Sequence, residues 1–288
     1  MKSENNYINS KPIIGLIGGC GPYATLDIEQ KILLATHSFL SPTKDQDYYP
    51  MLVFHNTQLE DRTLAKESYG LELKNQIKAV IENLISMNVD ILLLACQSAH
   101  VYLNDIRPNL DKVFFLDIIK VTTKHILSSP KKWKRIGLMG TNVLYESKLY
   151  QTELKAHGVE VIIPSDSLQE HIMQVIYTIK MYGTSFLTNQ LNESHFKINS
   201  HKNINASPHC VPLKKITDPL KHIISTINYL KDQNVDAIIL GCTELPLLLP
   251  YLMHYFSENI FIDSNRLIAE EVVLCAAEIE KSSNKNFM

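Results

Sequence analysis

Short runs of Ile, Val, Leu, Phe and Met recur along this chain at Ile13–Ile17, Met51–Phe54, Ile91–Leu94, Phe114–Leu116, Ile136–Met139, Val159–Ile163, Ile238–Leu240 and Ile260–Ile262. Longer segments of helical period separate them. In Glu72 to Met87, for example, Ile77, Val80, Ile81, Leu84 and Ile85 fall on one helix face. Continuous apolar runs between amphipathic helices predict parallel strands buried on both faces, hence an α/β architecture.

The pattern is written twice. "NVDILLLACQSAH" (88–100) and "NVDAIILGCTELP" (234–246) are near copies. Ile77, Ile81 and Leu84 recur as Ile223, Ile227 and Leu230, at the offset of 146 that also separates Cys96 from Cys242. "IGLIGG" (14–19) is echoed by "IGLMGT" (136–141) at an offset of 122. The offsets differ by 24, which implies an insertion of about that size between Gly140 and Cys242. Composition places it from Gly183 to about Lys215, a polar stretch rich in Asn and Ser that reads as a surface loop or flap. His195, His201, His209 and Cys210 fall inside it at spacings that match no metal-ligand pattern, and read as solvated loop residues.

These repeats predict two pseudo-symmetric α/β domains, each with a parallel sheet flanked by helices, and an active site in the interdomain cleft. The expected N-terminal lobe is residues 1–116 plus 256–288 and carries Cys96. The expected second lobe is residues 117–255, carries Cys242 and contains the polar insertion at about 183–215.

Composition narrows the functional class. With 45% apolar and 20% charged residues and a net charge of −2, the 288-residue chain reads as a soluble globular protein. Its one basic cluster, Lys131-Lys132-Trp133-Lys134-Arg135, runs into a strand and reads as a solvated strand entry, so no nucleic-acid partner is expected. No stretch reaches the roughly 18 to 20 apolar residues of a membrane span, and "MKSENNYINSKP" lacks a signal-peptide core. A cytoplasmic protein without membrane contact is expected. Five cysteines, with no C-x-x-C pair, argue against a disulfide framework or a thiolate zinc site. Reduced thiols and no bound metal are the corresponding expectations.

Cys96 and Cys242 each end a predicted strand and precede a predicted helix start. Ligands of open parallel sheets bind beyond such strand ends, and a helix N-terminus lowers a thiol pKa and can hold an anion. A single cysteine there is ordinarily a small packing residue. Two at matching places, beside polar Gln97, Ser98, His100, Thr243 and Glu244, point to chemistry. An acid and a base on opposite faces of a carbon invert a stereocentre, and removal of a weakly acidic Cα proton needs donors and cations to stabilise the developing charge.

The segments "GLIGGCGPYAT", "DQDYYPMLVFHNTQLEDRT", "ACQSAH", "IYTIK" and "GCTELP" span nearly the whole chain apart from the insertion. In that order they resemble the aspartate/glutamate racemase superfamily, in its cofactor-independent aspartate racemase-like branch. The resemblance implies racemisation of a small amino acid, aspartate or glutamate, without pyridoxal phosphate or another cofactor, by a homodimer. It implies Cys96 and Cys242 as the two bases, and Arg62 and Lys180 as holders of the substrate's side-chain carboxylate. Asn56, Gln97, Ser98, Thr141 and Thr243 would contact substrate, His100 and Glu244 would tune or position the thiols, and Gly19 and Gly21 would let their loop pass close to it.

Three positions depart from the family pattern. Gln97-Ser98 stands for the usual Asn-Thr, shifting an amide contact with substrate. Leu144 stands for a Thr near the substrate carboxylate and would present an apolar patch there, and Cys20 stands for a Met in the glycine loop. Other readings are an amino-acid sensor that kept the cleft and lost turnover, and a maleate isomerase-like or hydantoin racemase-like enzyme. Dinucleotide binding is a further one, since Gly19-Cys20-Gly21-Pro22-Tyr23-Ala24 fits G-x-G-x-x-A, but the second strand ends Phe54-His55-Asn56 without the acidic residue that fingerprint needs.

Overall fold

Each apolar run contains a strand in the computed structural model, which describes residues 11–66, 68–106, 110, 113–185, 187 and 218–285. The strands are β1 (Ile14–Gly18), β2 (Met51–His55), β3 (Ile91–Leu94), β4 (Phe114–Leu116), β5 (Arg135–Gly140), β6 (Glu160–Ile162), β7 (Ala237–Gly241) and β8 (Phe261–Ile262). They form two four-stranded parallel sheets, ordered β2-β1-β3-β4 and β6-β5-β7-β8. The described α-helices are α1 (Pro22–Leu40), α2 (Leu71–Ser86), α3 (Leu103–Ile106), α4 (Ile118–Ser128) and α5 (Asn142–Ser147). They continue with α6 (Leu149–Lys155), α7 (Asp166–Tyr182), α8 (Pro219–Asp232), α9 (Leu249–Leu252) and α10 (Ser264–Lys285). Among the described residues no helix is long and apolar enough to cross a membrane. Most of the stretch 183–215, with His195, His201, His209 and Cys210, lies outside the described residues.

The repeated Asn-Val-Asp has a mechanical meaning. Asn88 and Asn234 follow α2 and α8 at φ of 59° and 56°, the left-handed conformation that Asn tolerates better than most residues and that turns the chain out of a helix. Two residues later the Asp fastens the next strand to its neighbour. Asp90 Oδ2 accepts from the Ile13 amide at 2.8 Å while the Asp90 amide donates to the Ile13 carbonyl at 2.9 Å. Asp236 does the same with Arg135, at 2.8 and 2.7 Å. Each copy therefore sets the start of the cysteine-bearing strand against the central glycine-ended strand.

Alternation along the strands divides the apolar side chains among three clusters. Ile17, Leu92 and Leu94 pack under α2 on Ile77, Ile81 and Leu84. Met139, Ile238 and Leu240 pack in the matching place on Ile223, Ile227 and Leu230 of α8 and Ile172 and Ile176 of α7. The opposite faces of both sheets share a third cluster, in which Leu16 and Leu93 of one sheet and Leu138 and Ile239 of the other meet Ala269, Val272 and Val273 of α10 and Tyr150 of α6.

β8 pairs with β7 and completes the second sheet, so residues 261–262 belong there and not with the N-terminal lobe. α10 then leaves the second sheet to pack on α1 and α4, closing the core from the side of both lobes.

Replacing Asn88 or Asn234 by Ala is expected to cost about 1 kcal/mol, because a Cβ-bearing side chain without local hydrogen bonding pays for positive φ, whereas Gly at either position retains stability. Urea unfolding of the four single variants measures this; an Ala variant as stable as the Gly variant would refute the backbone explanation.

Candidate active site

In each sheet the chain order reverses about the central strand, which creates a crevice between β1 and β3 and another between β5 and β7, at their carboxyl ends. Cys20 and Cys96 follow β1 and β3, and Thr141 and Cys242 follow β5 and β7. The two crevices face each other across one small cavity. Arg62, Cys96, Gln97, Ser98, Thr141, Lys180, Cys242, Thr243 and Glu244 line it. Sequence reading named all nine.

The loop after β1 is built to approach the cavity. Gly19 has φ of 94°, and a Cβ there would run into the backbone of Asn56. A Cβ on Gly21 would run into the Glu244 carboxylate, so the first lobe passes close to the second at this point. Between them the Cys20 carbonyl accepts hydrogen bonds from Arg62 Nη2 at 2.6 Å and Lys180 Nζ at 3.2 Å. Arg62 is buried, at 7% exposure, and Nη1 donates to the Glu60 carbonyl at 3.0 Å, so it is neither a surface charge nor one half of a surface ion pair. Lys180, in the last turn of α7, lies 3.6 Å from Glu244 Oε1. Burial works against its charge, but Glu244 and the two thiols more than offset that and raise its pKa.

The two thiols sit in different electrostatic surroundings. Cys242 Sγ donates to Glu244 Oε2 at 2.8 Å, and burial together with that carboxylate pushes its pKa well above the usual thiol range. The neighbouring Cys20 thiol, with Arg62 and Lys180, outweighs burial and brings Cys96 down to about 6. The surroundings thus favour the thiolate at Cys96 and the thiol at Cys242.

Other expected residues take different places. Ser98 Oγ bonds Thr141 Oγ1 at 2.7 Å and Thr243 Oγ1 donates to the Ala95 carbonyl at 3.5 Å, both across the lobes. His100 touches the backbone and not the thiol: Nδ1 lies 2.8 Å from the Cys96 carbonyl, with Nε2 3.8 Å from Asp117 Oδ1. Asn56 does not line the cavity; its Oδ1 accepts from the Gln58 amide at 3.0 Å and its backbone braces Gly19. Leu144 is wholly buried against Gly140 and Gly241 in the shared core, so it presents no apolar patch to a substrate.

Gln97 requires the largest correction. It lines the cavity, but its Nε2 donates to the Leu240 carbonyl at 3.0 Å and to Ser264 Oγ at 2.6 Å, and its Oε1 accepts from Tyr150 Oη at 2.7 Å. Both amide hydrogens are spent on the second lobe, so the side chain acts as an interlobe strut. Sequence reading also missed Asp61, Thr63, Met173, Ile176 and Tyr177 in the cavity wall. The signal was present: Met173, Ile176, Tyr177 and Lys180 follow the i, i+3, i+4, i+7 spacing of one helix face.

Comparison with known proteins identifies the fold and the family. The structure of Picrophilus torridus aspartate racemase superposes with a TM-score of 0.70 at 24% identity, over 92% of this chain and 94% of that one, which identifies the two-lobed α/β racemase fold. The chain is 30% identical over 225 residues to the broad specificity amino-acid racemase RacX of Bacillus subtilis (strain 168), covering 75% of this chain and 92% of that protein. It is 26% identical over 215 residues to the glutamate racemase of Aquifex aeolicus (strain VF5), covering 72% and 68%. The Asp/Glu/Hydantoin racemase profile matches residues 17–196. The chain belongs to the Asp/Glu/hydantoin racemase family and is a racemase, an isomerase.

If Gln97 is a strut, Gln97→Ala should destabilise the protein by about 1–3 kcal/mol, because buried partners lose their hydrogen bonds. Tyr150→Phe should couple to it in a double-mutant cycle measured by chemical unfolding. Additive losses would show that the bond carries no interlobe stability.

Proposed function

We propose that this enzyme interconverts the enantiomers of an acidic amino acid, aspartate or glutamate, by a two-base reaction at Cys96 and Cys242. The observation that carries the reading is the placement of both thiols and two cations, Arg62 and Lys180, around one small cavity. In one direction the Cys96 thiolate removes the Cα proton, and the Cys242 thiol delivers its proton to the opposite face. In the reverse direction the roles exchange. Lys180 and Arg62, already donating to the Cys20 carbonyl, offer remaining N–H groups to substrate carboxylates and stabilise the charge that develops at Cα.

A second reading is favoured by Met173 and Ile176 in the same wall, which suit aliphatic side chains, and by the broad specificity named for the Bacillus subtilis relative. The proposed chemistry needs free thiols, which fits a reducing compartment such as the cytoplasm. Leu26, Leu33 and Leu34, exposed along one side of α1, are the surface we assign to a homodimer contact.

Incubation in D2O with L-aspartate, L-glutamate and a wider panel, followed by proton NMR and chiral chromatography, tests both readings. Exchange confined to the acidic pair supports the first and exchange across aliphatic substrates the second; no exchange with any amino acid would favour a binding protein. Cys96→Ala and Cys242→Ala should each lower racemisation at least ~100-fold. For the wild type, kcat/KM should fall as pH drops through about 6, where Cys96 gains a proton, and stay level across neutral pH, where Cys242 keeps its own.

A further inference from the structure

The turn that follows Cys242 lacks a hydrogen bond that its copy in the first lobe has. After Cys96 the chain enters a short 3₁₀ segment, and the His100 amide donates to the Gln97 carbonyl at 3.1 Å. At the offset of 146 the matching carbonyl is that of Thr243, and the matching amide position is Pro246. Proline has no N–H to donate. The carbonyls on either side are served locally, that of Cys242 by the Leu245 amide at 3.0 Å and that of Glu244 by the Leu247 amide at 3.2 Å. The Thr243 carbonyl instead accepts from Asn265 Nδ2, in the first turn of α10, at 2.8 Å.

Asn265 is wholly buried and held from several sides. Its Nδ2 also donates to Asp27 Oδ2 at 2.8 Å, and Lys31 ties Asp27 to Asp263 at 2.7 and 2.9 Å. Asp263 in turn accepts from the Arg266 amide at 3.0 Å, so the start of α10 and the Asn265 side chain are fixed together. Both partners of Nδ2 are oxygens, and turning the amide over would set its own oxygen against them. That oxygen, Oδ1, is buried without a partner. An unpaired buried acceptor is costly, and an apolar side chain would avoid the cost. What an apolar side chain could not do is donate to Thr243.

We propose that Asn265, backed by Asp27, is a positioning residue that supplies the donor missing at Pro246 and so fixes the turn Cys242-Thr243-Glu244, in which the Glu244 carboxylate faces the Cys242 thiol. Its catalytic meaning rests on the two-base reading; its geometry does not. Because a peptide unit is planar, a Thr243 carbonyl held in place also sets the direction in which the chain enters Glu244. Cys242 Sγ donates to Glu244 Oε2 at 2.8 Å, and Gly21 closes in on the same carboxylate from the first lobe. Rotation of the Thr243-Glu244 peptide would draw the carboxylate away from the thiol. The first lobe needs no such support, since His100 supplies the amide locally.

The test uses the two cavity thiols as each other's control. The full-length wild type, Asn265→Ala and the double variant Asn265→Ala/Pro246→Ala are pulsed with iodoacetamide at neutral pH. Peptide mass spectrometry then reads alkylation of Cys242 relative to Cys96, a ratio that loosening of the whole cavity would leave in place. Glu244 helps to hold the Cys242 proton. In Asn265→Ala the ratio should therefore rise roughly ten-fold, because a thiol parted from that carboxylate ionises more readily. Racemisation should lose about 10- to 100-fold in kcat while KM stays within about two-fold. Adding Pro246→Ala restores an amide at the missing place and should return both readings toward the wild type.

An unchanged ratio in folded Asn265→Ala would overturn the proposal, and so would a raised ratio that Pro246→Ala does not lower. If Asn265→Ala does not fold, Asp27→Leu and Asp27→Asn carry the test. Only the Leu variant removes the acceptor that backs Asn265, so only it should raise the ratio, and equal ratios in the two would overturn the proposal. A ratio that shifts as expected in a protein that racemises no amino acid would refute the functional reading and leave the positioning assignment standing.

Discussion

Two thiols can face each other across one cavity only if the sheets that carry them are held at a fixed separation, and most of the fold outside the site supplies that constraint. The apolar faces of both sheets share one cluster, sealed by α10, so neither lobe can open without exposing part of the other's core. Inside that seal the Gln97 amide ties the strand end bearing Cys96 to the Leu240 carbonyl, two residues before Cys242. A hydrogen bond in such surroundings contributes modest net stability, but leaving its partners unpaired is costly. The contact therefore fixes geometry more than it adds energy. Asn265 reinforces it by donating to the Thr243 carbonyl and to Asp27 of α1, each at 2.8 Å.

This rigidity bears on the charges. Arg62, Lys180, Asp61 and Glu244 line a small cavity whose walls are largely buried, where an unbalanced charge is expensive. In the structure the two cations bind a neutral backbone carbonyl, that of Cys20, and Lys180 also lies near Glu244. Such pairing satisfies the donors while leaving their charge available to a carboxylate that enters beside them. The loop after β1 therefore sets both cations.

Much of this was legible in the sequence because it was written in periodic or repeated form. Continuous apolar runs located all eight strands, and the offset of 146 paired Cys96 with Cys242 before any coordinates. What resisted reading depends on side-chain direction at aperiodic positions. Gln97 follows a catalytic candidate in sequence, yet its side chain turns into the core; Leu144 and Asn56 lie next to site segments and face elsewhere. β8 is only two residues long, too short for composition to say which sheet it joins.

Duplication alone would give two equivalent thiols, and equivalent thiols make a poor acid–base pair, because at any one pH both would be mostly protonated or both mostly ionised. The residues that break the symmetry are therefore as informative as those that keep it. At the position two beyond each cysteine the first lobe has Ser98, which bonds Thr141 and leaves the thiol alone, while the second has Glu244, which accepts the Cys242 proton. At the end of each central strand the first lobe has the Gly19-Cys20-Gly21 loop and the second has Thr141, which caps α5 by accepting from the Leu144 amide at 3.3 Å. Glu244 thus gives Cys242 an acceptor at the position where the first lobe has only a hydroxyl. A repeated backbone sets where the sulfurs stand, and non-repeated neighbours decide which of them carries the proton.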